Sequence, residues 1–172
     1  TLSNYLGYIE EAFLAYKTER YNIKGKDVVA GNCKYYLNDL SFKNFLYPGF
    51  AYGVGYLLEN AVYLELRRLG YIVYTGSFRD KEVDFVAMKD DRVIYLQATY
   101  MLETAQTMER EYAPLLTIGD NYEKYVVSMD EVQFPSNEGV RHIQAWNLKE
   151  IQSRSVEMPV TAINRIARVQ SM

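Results

Sequence analysis

The 172-residue sequence sets 19 Lys and Arg against 22 Asp and Glu, a formal charge of −3, which excludes bulk positive charge as a way of meeting nucleic acid and requires any such contact to be local. A single cysteine, Cys33, and a single histidine, His142, exclude an internal disulfide and a Cys/His zinc site on ligand count. Hydrophobic residues at 49% and charged residues at 24% fit one globular domain with a small appendage rather than a disordered chain.

The chain opens on TLSNYLGYIEEAF, with no Met and with helical spacing at once, and reads as a piece of something longer. Leu2, Leu6, Ile9 and Phe13 predict an amphipathic helix over residues 3–13, with Ser3 available as a cap. LAYKTERYNI and KYYLND, around Gly25, predict a two-stranded ribbon. A helix followed by such a ribbon is the back half of a winged helix-turn-helix, or a hairpin that packs on the main domain. FLYPGFAYG marks a loop, dividing a helix-and-ribbon piece at 1–47 from a main domain at 54–172.

From Val54 to Leu69 the apolar spacing predicts a helix stopped by Gly70, and YIVYTGS a strand. KEVDFVAMKDDRVIYLQATY, residues 81–100, predicts two strands around a tight turn, apolar on both faces as central strands are. Thr104 or Thr107 caps a helix through MEREYAPLLTI, followed by a strand in YEKYVVSMD, another in VRHIQAWN and a closing helix in LKEIQSR. The expected fold is α/β, a central mixed sheet flanked by helices. No run reaches the ~18 apolar residues of a membrane span, so the expectation is a soluble, cytoplasmic chain without a membrane partner.

The hairpin carries the chemistry. Asp84 lies in its first strand, and Gln97 and Thr99 stand two apart in the second, so their side chains share a face. A carboxylate on one strand and acid-x-lysine on the next is a way to hold Mg²⁺, which takes oxygen ligands. Here glutamine stands for the acid and threonine for the lysine. The preceding helix offers Glu59 or Glu65 as a further carboxylate. Periodicity favours Glu65, near the middle of the apolar face, where a carboxylate needs a partner or a raised pKa.

Several blocks together, GYLLENAVYLELRRLGYIVYTG, EVDFVA, YLQATYML and TMEREYAPLLTIGDNYEKYVVSMD, closely resemble the C-terminal domain of uncharacterised bacterial and archaeal AAA-type ATPases. The resemblance implies a PD-(D/E)xK nuclease-type core, similar to Holliday-junction resolvases and restriction endonucleases, after a winged-helix region. It puts the helix carboxylate on Glu59, the metal carboxylate on Asp84, and the acid and lysine of the E-x-K pair on Gln97 and Thr99. It further implies an AAA-type ATPase domain of the same full-length chain as partner, with ATP bound there, and DNA as a ligand.

Thr99 is the serious departure, because a neutral hydroxyl neither orients the attacking water nor stabilises charge on phosphate as a lysine does. It points to a catalytically degenerate module acting in nucleic-acid or protein binding. The alternatives are an active Mg²⁺-dependent DNA endonuclease and a protein-interaction domain without a nucleic-acid role. In chain order, Arg110 and Lys124 are the nearest cations to replace the lysine; their ordinary roles would be a pair with Glu111 and a solvent-facing charge. His142, without a Ser or Cys partner in a motif, reads as an ordinary strand residue.

Overall fold

The computed structural model describes residues 1–49 and 53–153. In chain order the elements are α1 (Leu2–Glu11), β1 (Ala15–Asn22), β2 (Asp27–Leu37), α2 (Ser41–Leu46), α3 (Val54–Arg68), β3 (Ile72–Phe78), β4 (Lys81–Lys89), β5 (Arg92–Ala98), α4 (Ala105–Leu116), β6 (Glu123–Ser128), β7 (Val140–Gln144) and α5 (Glu150–Ser153). Thr104 caps α4, its hydroxyl accepting the Thr107 N–H at 3.1 Å. Helix α1 starts at Thr1 with no side-chain cap, so Ser3 is not the cap. The apolar spacing of the sequence predicts no helix at α2.

Among the described residues seven strands form one mixed sheet in the order β2-β1-β3-β4-β5-β6-β7. The N-terminal ribbon is the edge of this sheet, because β1 runs parallel to β3 through the Arg20–Thr75 to Asn22–Ser77 pairs. On one face α3 and α5 bury Val62, Tyr63, Leu66 and Ile151 against Phe85, Leu96 and Tyr125. On the other, α4 buries Tyr112 and Leu115 against Val83, Val86, Tyr95 and Val126. With the sheet covered on both sides, its central strands are apolar on both.

Two irregularities shape the site. Between Tyr74–Val86 and Gly76–Val83, strand β4 carries one residue more than β3, so Asp84 and Phe85 stand opposite Thr75 alone. This bulge puts Val83 on the same face as Val86, while Phe85 turns to the other core. Gly76 is required there: a Cβ would come within 2.9 Å of Val86 and 3.0 Å of Val83. In the ribbon, Thr18 pairs with Lys34 but Arg20 already with Val29. A slip of that size bends β2, and its Lys34–Leu37 half lies against α3, where the Asn60 side chain makes two hydrogen bonds to the Leu37 backbone, at 2.8 and 2.9 Å.

Candidate functional site

The β4–β5 ladder stops at the Phe85–Leu96 pair, and beyond it side chains take over. The Asp84 N–H donates to Gln97 Oε1 at 3.3 Å, and the Ala98 N–H donates to Asp84 Oδ2 at 2.9 Å. Asp84 and Gln97 are therefore neighbours, as the hairpin predicts. Thr99 is not beside them on the strand: β5 ends at Ala98, and Thr99 is buried with its N–H given to the Val127 carbonyl.

The cation comes from elsewhere. Although β1 and β3 separate β2 from β4 in the sheet, Lys34 Nζ lies 3.8 Å from Asp84 Oδ1, 3.0 Å from Glu59 Oε1 and 2.8 Å from Glu82 Oε1. The Tyr36 hydroxyl donates to the same Glu59 oxygen at 2.7 Å, and Arg20 holds the other oxygen of Glu82 at 2.8 Å. The side chains of Glu59 and Asp84 are only 14% and 13% exposed. Burial, then the Glu59 charge, pushes the Asp84 carboxyl up to about 7, against the Ala98 N–H and Lys34; Glu111 adds to the rise. Burial alone would lower the proton affinity of Lys34, but Glu82 and Glu59 outweigh it and hold the ammonium above the usual lysine range.

The other candidates are engaged away from this cluster. Glu65, which periodicity favours, makes a fork with Arg68 at 2.7 and 2.6 Å on the helix surface; Glu59 is the helix carboxylate at the site. Arg110 pairs with Glu111 at 2.7 Å and is largely exposed. Lys124 does not face solvent: it closes the turn before β6, bound to the Asp120 carbonyl at 2.7 Å.

A hard cation such as Mg²⁺ is held by one or two carboxylates with its remaining positions filled by water or phosphate. Glu59 and Asp84 meet that need, and Gln97 adds an amide oxygen next to Asp84. Among the described residues no three of His, Cys, Asp and Glu gather to hold a metal unaided, so such an ion would rest on this mixed set. Its charge suits the site, since three carboxylates face Lys34 and the acid nearest β5 keeps a proton near neutrality.

His142 does have a serine partner. Its Nδ1 accepts the Phe134 N–H at 3.1 Å, so Nε2 carries the proton and donates to Ser128 Oγ at 2.8 Å, and Ser128 donates to Asp130 Oδ2 at 2.6 Å. In a catalytic triad the serine gives its proton to histidine; here it gives it to the carboxylate, inside a buried core. The arrangement is structural.

No family model matches the chain, and no solved structure matches it. It is 37% identical over 128 residues to an uncharacterised protein of Haemophilus influenzae, covering 74% of this chain and 31% of that protein. It is 32% identical over 112 residues to an uncharacterised protein of Methanocaldococcus jannaschii, covering 63% of this chain and 24% of that one. The chain thus spans about a third and a quarter of the relatives it matches.

Proposed function

We propose that the chain is a nuclease-type module of a longer protein, a Mg²⁺-dependent DNA endonuclease in which Lys34 takes the part that Thr99 cannot. The observation that supports it is the convergence of Glu59, Glu82 and Asp84 within 3.8 Å of the Lys34 ammonium nitrogen. Resemblance to the C-terminal domain of AAA-type ATPases adds the context: an ATPase domain in the full-length chain, and a restriction-endonuclease-like reading of the mixed sheet. The relatives' greater length accords with it.

In this reading Glu59, Asp84 and Gln97 would hold the metal. When bound, Mg²⁺ supplies a water of lowered pKa and counter-charge for the phosphate. The chain's own groups do the rest. Tyr36 fixes the carboxylate of Glu59, and Arg20 fixes Glu82, which in turn aims Lys34. The ammonium then stands beside both carboxylates, where it can bind a phosphate oxygen and stabilise the charge that develops on it.

The use of Gln97 Oε1 by the Asp84 N–H favours a second reading, a degenerate site that binds without cutting. A nicking assay on supercoiled and branched DNA with Mg²⁺ or Mn²⁺ separates the two. Metal-dependent nicking lowered at least about 100-fold in Asp84→Ala is the expected result. Equal background cleavage by both proteins rules out the enzyme.

A further inference from the structure

A cavity of about 690 Å³ opens directly beside the carboxylates and shares Lys34, Tyr36 and Glu59 with them. Its volume is in the range of pockets that enclose small ligands, about 300–1,000 Å³. Its outer walls are aromatic: Phe42 on α2, Tyr47 after it, and Tyr56 in the first turn of α3. These rings are 40%, 60% and 72% exposed. Helix α2 buries none of its residues, so its packing on the sheet does not account for the position of Phe42. Lys43 completes the wall.

From this we infer that the cavity receives unpaired bases of a single DNA strand next to the phosphate that the site engages, so that the substrate class is single-stranded DNA rather than intact duplex. The inference rests on the nuclease-type reading, for the cavity has Lys34 and Glu59 in common with that site. Each base offers a π-face, and stacking on exposed aromatic rings is how proteins hold single strands without sequence preference. A duplex hides those faces and does not enter a pocket of this size. The charge balance points the same way: at −3 overall the chain lacks the broad basic surface that retains duplex, and the cavity supplies Lys34 and Lys43 beside its rings. Two phosphate contacts on a single strand give a salt slope of only about −1.4.

The test is fluorescence anisotropy of a labelled oligothymidylate of about 16 nucleotides and of a blunt duplex of equal length. It is run in EDTA, so that no cleavage intervenes. The wild-type protein is expected to bind the single strand more tightly than the duplex, with a shallow salt dependence. The double variant Tyr47→Ala, Tyr56→Ala weakens single-strand binding about tenfold or more, and Tyr47→Phe, Tyr56→Phe restores it. Because both tyrosines are exposed, unchanged circular dichroism is expected for each variant. Unaltered affinity in the alanine variant, or preference for duplex, overturns the inference even if metal-dependent nicking is present. Loss of binding in that variant sustains it even if no nicking is found, and the failure then falls on the nuclease reading alone.

Discussion

Two groups of buried or half-buried ionisable side chains stand at the same end of the parallel strands β5 and β6, one toward β4 and the other toward β7, and they resolve the problem in opposite ways. Around Ser128 the polar groups are chained: His142 donates to serine, serine to Asp130, and the Leu102 N–H also serves that carboxylate at 2.9 Å. Burial holds the imidazole below the usual histidine range, which keeps it neutral. Around Lys34 the accounts do not close. Three carboxylates face one ammonium, and Asp84 keeps a proton to about 7. A satisfied network of this kind fixes a fold, whereas an unbalanced one next to an open cavity leaves charge for a ligand to neutralise.

The largest effect that sharpens this contrast is on stability against pH. The folded-state pKa of Asp84 is raised, so the unfolded chain loses that proton first as pH climbs from about 4. The folded state is then the one that binds more protons, and stability falls up to about pH 7. Asp84→Asn removes this loss. It is expected to be more stable than wild type at pH 8, with a ceiling of about 4 kcal/mol, and the gain should fade toward pH 4; urea melts at the two pH values measure it. A variant no more stable at pH 8 than at pH 4, relative to wild type, would mean that the site is not short of positive charge.

Next in size is the satisfied network. Ser128→Ala strips a buried partner from both Asp130 and His142 and should cost about 1–3 kcal/mol in the same melts. It should leave metal-dependent nicking intact. Loss of nicking in a folded Ser128→Ala protein would move function to the β6–β7 side of the sheet. Smallest is Glu65→Ala, which removes a helix-surface pair with Arg68 and should change stability by no more than about 0.5 kcal/mol. A larger cost would restore Glu65 to the buried role that periodicity gives it.

The sheet's central elements were legible because hydrophobic spacing is a local signal: α3, the β4–β5 hairpin and α4 lie close to where their patterns put them. Asp84 and Gln97 follow from that, since a two-residue turn between strands fixes which residues are neighbours. The bulge at Asp84 was not legible, as it depends on Gly76 of another strand admitting Val83 and Val86 closely. Lys34 was missed for a related reason. It is 50 residues from Asp84 in sequence and lies on a strand separated from β4 by two others, and only the bend in β2 brings it in. Proximity along the chain favours Arg110 and Lys124, whose own neighbours, Glu111 and Asp120, engage them. The serine partner of His142 was hidden likewise, two parallel strands placing Ser128 beside it without any motif.

The central claim is that Lys34 supplies the cation of this site. The most direct measurement is the rate of Mg²⁺-dependent nicking of branched DNA by wild-type protein and by Lys34→Met, which keeps the length of the side chain and removes its charge. A drop of about 100-fold or more, with folding unchanged by circular dichroism, is the predicted result. Nicking by Lys34→Met at the wild-type rate would contradict the account.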